Sequence, residues 1–479
     1  MPSQSLTSRL STSPTLAGLL ALSPFLAALA AALVMMFAGR NLVALVLMAG
    51  IGMAALTLVP RVSFYLFFFS TAFWLPQRMS TTFAVHPFDV LLAVTFAGVA
   101  LEFLLKSDGE IRATGFDVAF LVLIGATLLS AVLAYHPAYS VVPMIRIVTI
   151  YLAFRIFFKF ALEVGVRRIL LLYIGIVIVL SLYNVGIFLR TGGTVREFGP
   201  AALGYEPMSM TALPMALAFM LWATDRKERI LHGLSCLAIA GGIVATQARG
   251  PLLTVVIAVP VMLWFARRKA NRESTHHVGR TTLLVVVALV LITLVAVSLS
   301  TNLLAGAWLR YEELIESAND PAGTIALRLV LWKTAIRTFL DHPLTGIGIG
   351  NFRIVHELYP EVHMIPLYAQ VKGMSAHNVL LHYLAETGLV GALSLLALAF
   401  LGLRTGYRSF KLRLEKSDTQ ISAALFIAMF VFSITILYMR AWTWGEGGYI
   451  MALLFGLVAA WRHHLAKGTQ FAAQESESR

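Results

Sequence analysis

The 479-residue chain is 59% hydrophobic and only 13% charged, whereas about a quarter of the residues of a soluble globular protein are charged. This composition excludes a soluble globular enzyme, and the single cysteine, Cys236, excludes a disulfide or a thiolate metal site within the chain. The net charge of +13 does not indicate nucleic acid, because the basic residues concentrate in short loops between apolar segments. We therefore predict an all-α, polytopic helical membrane protein without a nucleic-acid partner.

Apolar segments long enough to cross a bilayer recur along the whole chain. The first is longer than a signal-peptide core and more membrane sequence follows it, so we interpret it as a span. The segments fall at 16–38, 42–59, 62–76, 88–105, 116–134, 141–158, 169–189, 208–223, 230–246, 251–265, 282–299, 377–403, 420–439 and 447–463. Because several are short enough to pair as one broken or re-entrant helix, we predict about 12 to 14 membrane helices.

Short basic loops predict the orientation of these helices. Loops rich in Lys and Arg all fall on one side of the predicted bundle, at 159–168, 225–229, 266–281, 404–416 and after Arg462. Since such loops remain in the cytoplasm, we expect both termini there. The predicted parts of the chain are an N-terminal transmembrane bundle at 1–299, a large external loop at 300–376, C-terminal transmembrane helices at 377–463 and a polar cytoplasmic tail at 464–479.

The external loop at 300–376 carries six basic and seven acidic residues, which gives no strong cytoplasmic signal. A loop of this length is usually functional or disordered, and its aromatic residues argue for order. We expect a small helical cap. Within it, the segment PLTGIGIGNF is rich in glycine but lacks the βαβ context of a dinucleotide site. We interpret it as a tight, close-packing loop.

The end of this loop carries the first candidate for chemistry, in MSAHNVLLHYLAETGLVG. His377 lies at a water–lipid boundary at the start of a helix, and a neutral histidine can accept a proton from an incoming hydroxyl near neutral pH. Glu386, about two and a half turns further on, is expected to enter the hydrocarbon, where an ionisable group indicates function. A buried structural carboxylate is the alternative.

Arginines are the second candidates. Gly250 and Pro251 are expected to end a helix in TQARGP and to display Arg249 at the external surface. Arg328 lies on an amphipathic helix, TIALRLVLWKTAIRTF, and shares a face with Trp332, Ala335 and Phe339. The alternatives are a side chain reaching lipid headgroups for Arg249 and a solvated charge for Arg328. Two guanidinium groups can bind a diphosphate and neutralise the charge that grows as it departs.

Further arginines on the same face, Arg190, Arg196 and Arg440, either bind phosphates of a lipid or reach headgroups. The external face carries no paired carboxylates or other metal motif, so we predict no metal. The residues alone thus indicate group transfer from a diphosphate, without metal, and do not name the group.

The segment AHNVLLHYLAETGLVG, preceded by PLTGIGIGNF and LRLVLWKTA, resembles the domain shared by O-antigen ligases and O-antigen polymerases. The turn TQARGPLL is similar to a Ser/Thr-x-x-Arg-Gly turn of that superfamily, although Ala248 stands where many relatives have serine. The resemblance implies a GT-C-like membrane glycosyltransferase of the inner membrane that acts on the periplasmic side. Its donor would be a glycan on undecaprenyl diphosphate, with no cofactor.

The resemblance also implies roles for single residues. His377 matches the histidine proposed to activate the acceptor hydroxyl, and Arg249 and Arg328 match arginines assigned to the donor diphosphate. Asn378 is expected to cap or orient the helix start, and Glu386 to hold Arg or His partners. Arg196 joins this substrate-binding set.

An O-antigen ligase, which transfers the glycan to the lipid A-core oligosaccharide, fits best, and we expect a monomer. Polymerases tend to carry a substantial loop where this chain has only 190–207. Superfamily members that glycosylate proteins usually add a soluble C-terminal portion, which is missing here. A transporter of lipids or glycans is the remaining alternative, although the inverted repeats common in transporters are not found.

Overall fold

The computed structural model describes residues 41–71, 77–78, 84–85, 87–105, 112–191, 202–246, 249–272, 324–355, 359, 373–412, 414–437 and 447–477. The predicted helices at 16–38 and 282–299 lie outside these residues, as do Arg196 and Arg440. The described residues are helical except for short connections and one minimal pair of strands, which confirms the predicted all-α class. They divide into two compact units.

The first unit contains three helices and the strand pair. They are α1 (Asn41–Leu58), α2 (Pro60–Ser70), β1 (Gln77–Arg78), β2 (Ala84–Val85) and α3 (Pro87–Leu105). The strands pair antiparallel, with Gln77 opposite Val85. A bend of 117° separates α1 from α2, and Pro60 suits the first position of α2 because no intrahelical partner awaits its missing N–H.

The second unit contains all helices from α4 onward. They are α4 (Asp117–Val132), α5 (Pro137–Val164), α6 (Val166–Arg190), α7 (Ala202–Leu221), α8 (Arg226–Thr246), α9 (Arg249–Arg272), α10 (Thr324–Asp341), α11 (Phe352–Val355), α12 (Val379–Lys411), α13 (Lys416–Thr435) and α14 (Gly447–Glu477). Helices α7 and α13 are buried along most of their length and form the centre of this unit. Around them, α6 and α8 pack against α7, α5 packs against α14, and α12 packs against α4, α10 and α13.

The apolar segments of the sequence correspond closely to these helices. Among the described residues, seven helices are long and apolar enough to cross a membrane, or eight if the bent pair α1–α2 counts as one span. The seven are α3, α5, α6, α8, α12, α13 and α14. The protein is therefore a multi-pass membrane protein. The count of 12 to 14 stays a prediction, because two of the predicted helices lie outside the described residues.

Four of the five predicted basic loops meet at one end of the second unit. Lys269 Nζ donates a hydrogen bond of 2.8 Å to the carbonyl oxygen of Phe410. Arg167 pairs with Glu228 at 2.5 Å, and Gln420 Nε2 donates to the same carboxylate at 3.1 Å. These contacts join the loops after α5, α7, α9 and α12 on a common side, as the distribution of basic residues predicted. The polar tail is helical rather than separate, since α14 continues to Glu477.

Candidate active site

Helix α12 is broken near its start. Gly388 has φ 64° and ψ −161°, which is not a helical conformation, and it divides α12 into an upper half (379–387) and a lower half (389–411). At the break, the N–H of Leu389 donates to the carbonyl oxygen of Pro343 at 2.9 Å. The lower half is about 34 Å long at 1.5 Å per residue, which is enough to cross a bilayer by itself. The upper half is therefore not needed to complete a span.

The glycine-rich segment, which we call the glycine loop (343–351), packs into this break. Gly346, Gly348 and Gly350 all have positive φ, between 66° and 104°. A Cβ on Gly346 would lie 2.3 Å from the carbonyl carbon of Glu386, which no side chain tolerates. Only glycine lets the two backbones approach this closely. The interpretation of this segment as a tight, close-packing loop is confirmed.

Backbone hydrogen bonds tie the glycine loop to one helix and to one turn. The N–H groups of Ile347 and Gly348 donate to the carbonyl oxygens of Ala385 and Glu386, each at 3.0 Å. The carbonyl oxygen of Ile347 accepts from the N–H of Tyr135, also at 3.0 Å. The loop therefore connects the upper half of α12 with the turn between α4 and α5.

Asn351 completes this connection. It is fully buried, its Oδ1 accepts the N–H of His136 at 2.8 Å, and its Nδ2 donates to Ser140 Oγ at 3.0 Å. A buried amide needs such partners, because an unsatisfied polar group in the interior is destabilising. The glycine loop is thus held at both of its ends by specific hydrogen bonds.

Glu386 lies inside the protein and not in the hydrocarbon, so the sequence-based prediction of its surroundings is wrong. The residue is 1% exposed, and its Oε1 accepts the N–H of Phe352 at 3.1 Å. His382 Nε2 lies 3.2 Å from the same oxygen, a close polar contact without the geometry of a good hydrogen bond. The carboxylate is thus engaged by the protein itself, which favours the structural alternative for Glu386 over substrate binding.

His377 has an unusual backbone. With φ of 49°, it is the one non-glycine residue with positive φ among those the structure describes. A left-handed conformation of this kind is strained in an L-amino acid, and such strain is concentrated at functional sites. The side chain is half-buried. His377 therefore occupies a special backbone position directly before α12.

The peptide groups of Ala376 are held on both sides and fix this position. Its carbonyl oxygen accepts from Trp332 Nε1 at 2.9 Å. Its N–H points to Nδ1 of the fully buried His382 at 3.5 Å, the outer limit of a hydrogen bond. The segment that precedes His377 is therefore clamped between α10 and α12.

Asn378 caps α12, as the sequence predicted. Its Oδ1 accepts the N–H of Leu381 at 3.0 Å, and the side chain is largely buried. The N–H of the next residue, Val379, donates to the carbonyl oxygen of Ile436 at the end of α13, at 2.9 Å. These bonds satisfy donors that the first helical turn leaves without partners. The Asn378 side chain thus sets the direction of α12.

Arg328 lies at the rim of this arrangement. It is exposed and stands one turn before Trp332 on α10, so the two side chains are neighbours on the helix surface. The other side of α10 packs onto the upper half of α12 and the glycine loop, through the apolar cluster Leu327, Leu331, Ala335, Ile347, Phe352, Ala376 and Ala385. A guanidinium group is thereby placed on the helix that also holds Ala376.

Arg249 is the first residue of α9. The prediction that Gly250 and Pro251 end a helix is wrong, because α8 already ends at Thr246 and both residues lie in the first turn of α9. Proline is well accepted there, where its missing N–H leaves no helical hydrogen bond unmade. Arg196 lies outside the described residues.

Residues 234–396 match a family model described as O-antigen ligase. This region, which we call the family region, is similar to the O-antigen ligase family. The family region contains α9, α10, the glycine loop and the upper half of α12, together with Arg249, Arg328 and His377. None of the curated proteins compared with the chain matches it.

Two residues of the family region were missed by sequence reasoning. His382 and Trp332 contact Ala376, and neither was assigned this role, although Trp332 was placed on the face of Arg328 and the spacing of four between His382 and Glu386 puts both on one helix face. Within the part of the chain that the structure describes, no group of three or more His, Cys, Asp or Glu residues could hold a metal ion. The described residues thus place His377 directly after Ala376, which Trp332 of α10 contacts one turn from Arg328.

Proposed function

We propose that the protein is an O-antigen ligase, a membrane glycosyltransferase that moves O-antigen from undecaprenyl diphosphate to the lipid A-core oligosaccharide. The reaction takes place on the periplasmic face of the inner membrane. The observation that carries this proposal is the clamped, left-handed His377 at the start of α12, inside the O-antigen ligase family region.

His377 acts on the acceptor. As a sugar hydroxyl of the core oligosaccharide attacks C1 of the donor sugar, the neutral imidazole accepts the hydroxyl proton. The new C1–O bond forms while the bond from C1 to the diphosphate oxygen breaks, and in-line attack inverts the anomeric configuration. The imidazolium then releases its proton to water.

The arginines act on the donor. Arg249 and Arg328 bind the diphosphate, and Arg196 adds charge on the same face. Guanidinium groups bind phosphate oxygens in pairs and stabilise the negative charge that grows as undecaprenyl diphosphate departs. This arrangement needs neither a metal ion nor a nucleotide sugar.

The remaining described residues of the predicted site, Asn378 and Glu386, have a structural role. Asn378 and Glu386 hold the backbone around His377 and the glycine loop. We propose that the segment 300–376, with α10 and α11, forms a periplasmic cap on a GT-C-like bundle, and that the protein works as a monomer.

The test is transfer by purified protein from undecaprenyl diphosphate-linked O-antigen to lipid A-core in the presence of EDTA. Losing a general base lowers rates by about 100- to 10,000-fold, so His377→Ala should show a loss of this size. His342→Ala is the matched control, since His342 is exposed and lies just after α10, and it should keep full activity.

The products decide between the alternatives. Glycan on lipid A-core from the wild type supports the ligase. Longer glycan on undecaprenyl diphosphate would instead identify a polymerase, and glycosylated protein a protein oligosaccharyltransferase. Equal transfer by the wild type and His377→Ala would remove His377 from the reaction.

A further inference from the structure

Helix α10 has a second apolar face that is exposed in the part of the chain that the structure describes. Leu329, Ile336 and Leu340 recur at intervals of seven and four residues, so they lie on one side of the helix. All three are exposed, Leu340 to 67%. This stripe faces away from the buried stripe that packs onto α12. Helix α10 is therefore apolar on both sides.

The exposed stripe continues beyond the end of the helix into Leu344, which is 68% exposed. There the chain meets the break in α12, where the carbonyl oxygen of Pro343 accepts the N–H of Leu389. The lower half of α12 begins at this point with three exposed apolar side chains, Leu389, Val390 and Leu393. The two apolar surfaces are thus continuous.

The lower half of α12 is apolar and long enough to cross a membrane. Exposed apolar side chains on such a helix face the acyl chains of the lipid. A continuous surface of the same character, reaching from α12 onto α10, is stable in the same surroundings and unfavourable in water. We therefore expect the apolar stripe of α10 to contact lipid acyl chains, as the lower half of α12 does.

The charges of α10 agree with this location. Lys333 and Arg337 are both exposed and lie along one edge of the stripe. Long basic side chains keep their stems in apolar surroundings while their charged groups reach the lipid headgroups. Apolar residues with basic residues at the edge are typical of helices that lie in a membrane interface.

We propose that α10 lies in the plane of the external membrane interface, with Leu329, Ile336, Leu340 and Leu344 inserted among the lipid acyl chains. Its opposite side, with Leu327, Leu331 and Ala335, packs against the upper half of α12 and the glycine loop. The depth of α10 in the lipid layer then fixes the height at which Arg328 and Ala376 stand above the membrane. This proposal concerns the surface of α10 and does not rest on the proposed function.

The experiment is site-directed nitroxide labelling of the full chain in vesicles of phosphatidylethanolamine and phosphatidylglycerol. The native Cys236 is buried and is replaced by serine in the background. Labels are placed on Ile336→Cys and Leu340→Cys. Leu393→Cys serves as the lipid-facing reference, and Asp341→Cys, an exposed residue on another side of α10, as the water-facing reference.

Two collision reagents separate lipid from water, since oxygen concentrates in hydrocarbon and a nickel chelate stays in water. The labels at 336 and 340 should show oxygen and nickel accessibilities close to those at 393 and opposite to those at 341. Nickel accessibility at 340 equal to that at 341 would overturn the proposal. Shielding from both reagents would also overturn it and indicate a protein partner, with spin–spin broadening identifying a second copy of the chain.

Discussion

His377 combines two properties that can be separated experimentally, a strained backbone and an imidazole. A left-handed conformation is unfavourable by about 1 to 2 kcal/mol for most L-amino acids and is natural for glycine. The hydrogen bonds of Ala376 and Asn378 therefore hold this segment in a conformation that is unfavourable by itself. The imidazole group has no part in this strain and acts only in the proposed proton transfer.

We expect His377→Gly to abolish transfer while keeping or raising the thermal midpoint, because the strain disappears together with the base. His377→Val should abolish transfer and also lower stability by about 1 kcal/mol, since a β-branched side chain resists positive φ. Thermal unfolding and transfer are measured on both variants in the same detergent. A stable and active His377→Gly variant would show that the imidazole is dispensable.

His382 lies on α12 and contacts the N–H of Ala376, the residue before His377. We expect His382→Ala to lower stability by about 3 kcal/mol, because the buried carboxylate of Glu386 loses a close polar contact, the Ala376 N–H loses its acceptor and a cavity opens in the interior. Transfer should fall through kcat, with the KM of the donor unchanged. His382→Gln, which keeps polar atoms in the pocket, should recover part of both losses.

Steady-state kinetics at several donor concentrations, together with thermal unfolding, separate these effects. The exposed His342→Ala variant is again the control. An unchanged kcat in a stable His382→Ala protein would contradict the positioning role.

At the scale of elements, the break in α12 depends on one glycine. Gly388→Ala would force a side chain into a backbone conformation essentially reserved for glycine and place its Cβ 2.3 Å from the carbonyl oxygen of Leu344. We expect a loss of about 3 kcal/mol or more and loss of transfer.

Gly125→Ala is the matched control for this variant. Gly125 lies on α4 with no atom within 4 Å of a Cβ built there, and alanine should be neutral or slightly stabilising. Comparable stability of the two variants, measured by thermal unfolding, would show that α12 can close its break without penalty.

Hydropathy located most of the helices, because a membrane-crossing helix must be a long apolar segment. Hydropathy gave no indication of the break in α12. The predicted segment 377–403 contains three glycines, Gly388, Gly391 and Gly402, and nothing in the sequence marks Gly388 as the one with a non-helical conformation. The sequence likewise assigned Glu386 to hydrocarbon, because its actual partner, the N–H of Phe352, lies 34 residues away.

At the scale of the whole molecule, the orientation is still a prediction. Four basic loops meet at one end of the second unit, and the positive-inside tendency assigns that end to the cytoplasm. In a background without Cys236, we expect His342→Cys to react with a membrane-impermeant maleimide in cells whose outer membrane has been permeabilised. Lys411→Cys should react only after the inner membrane is opened. The reverse pattern would invert the topology.

Composition was sufficient to predict the fold class, since no soluble fold accommodates so many apolar residues. The location of the site was only partly accessible. Position along the chain suggested that His377 and the glycine-rich segment belong together, but the turn between α4 and α5 carried no chemical motif. Its role arises from hydrogen bonds between residues more than 200 positions apart, such as those from the N–H of Tyr135 to the carbonyl oxygen of Ile347 and from the N–H of His136 to Oδ1 of Asn351.

The attachment of the glycine loop to that turn has a consequence for protein engineering. The region that matches the family model, 234–396, does not include Ser130, Tyr135, His136 or Ile436. Hydrogen bonds of these four residues hold the region in place. A copy excised at the limits of the match would lose the residues that anchor the glycine loop and the start of α12. Any transplant into another membrane bundle has to carry the hairpin α4–α5 and the end of α13 as part of the graft.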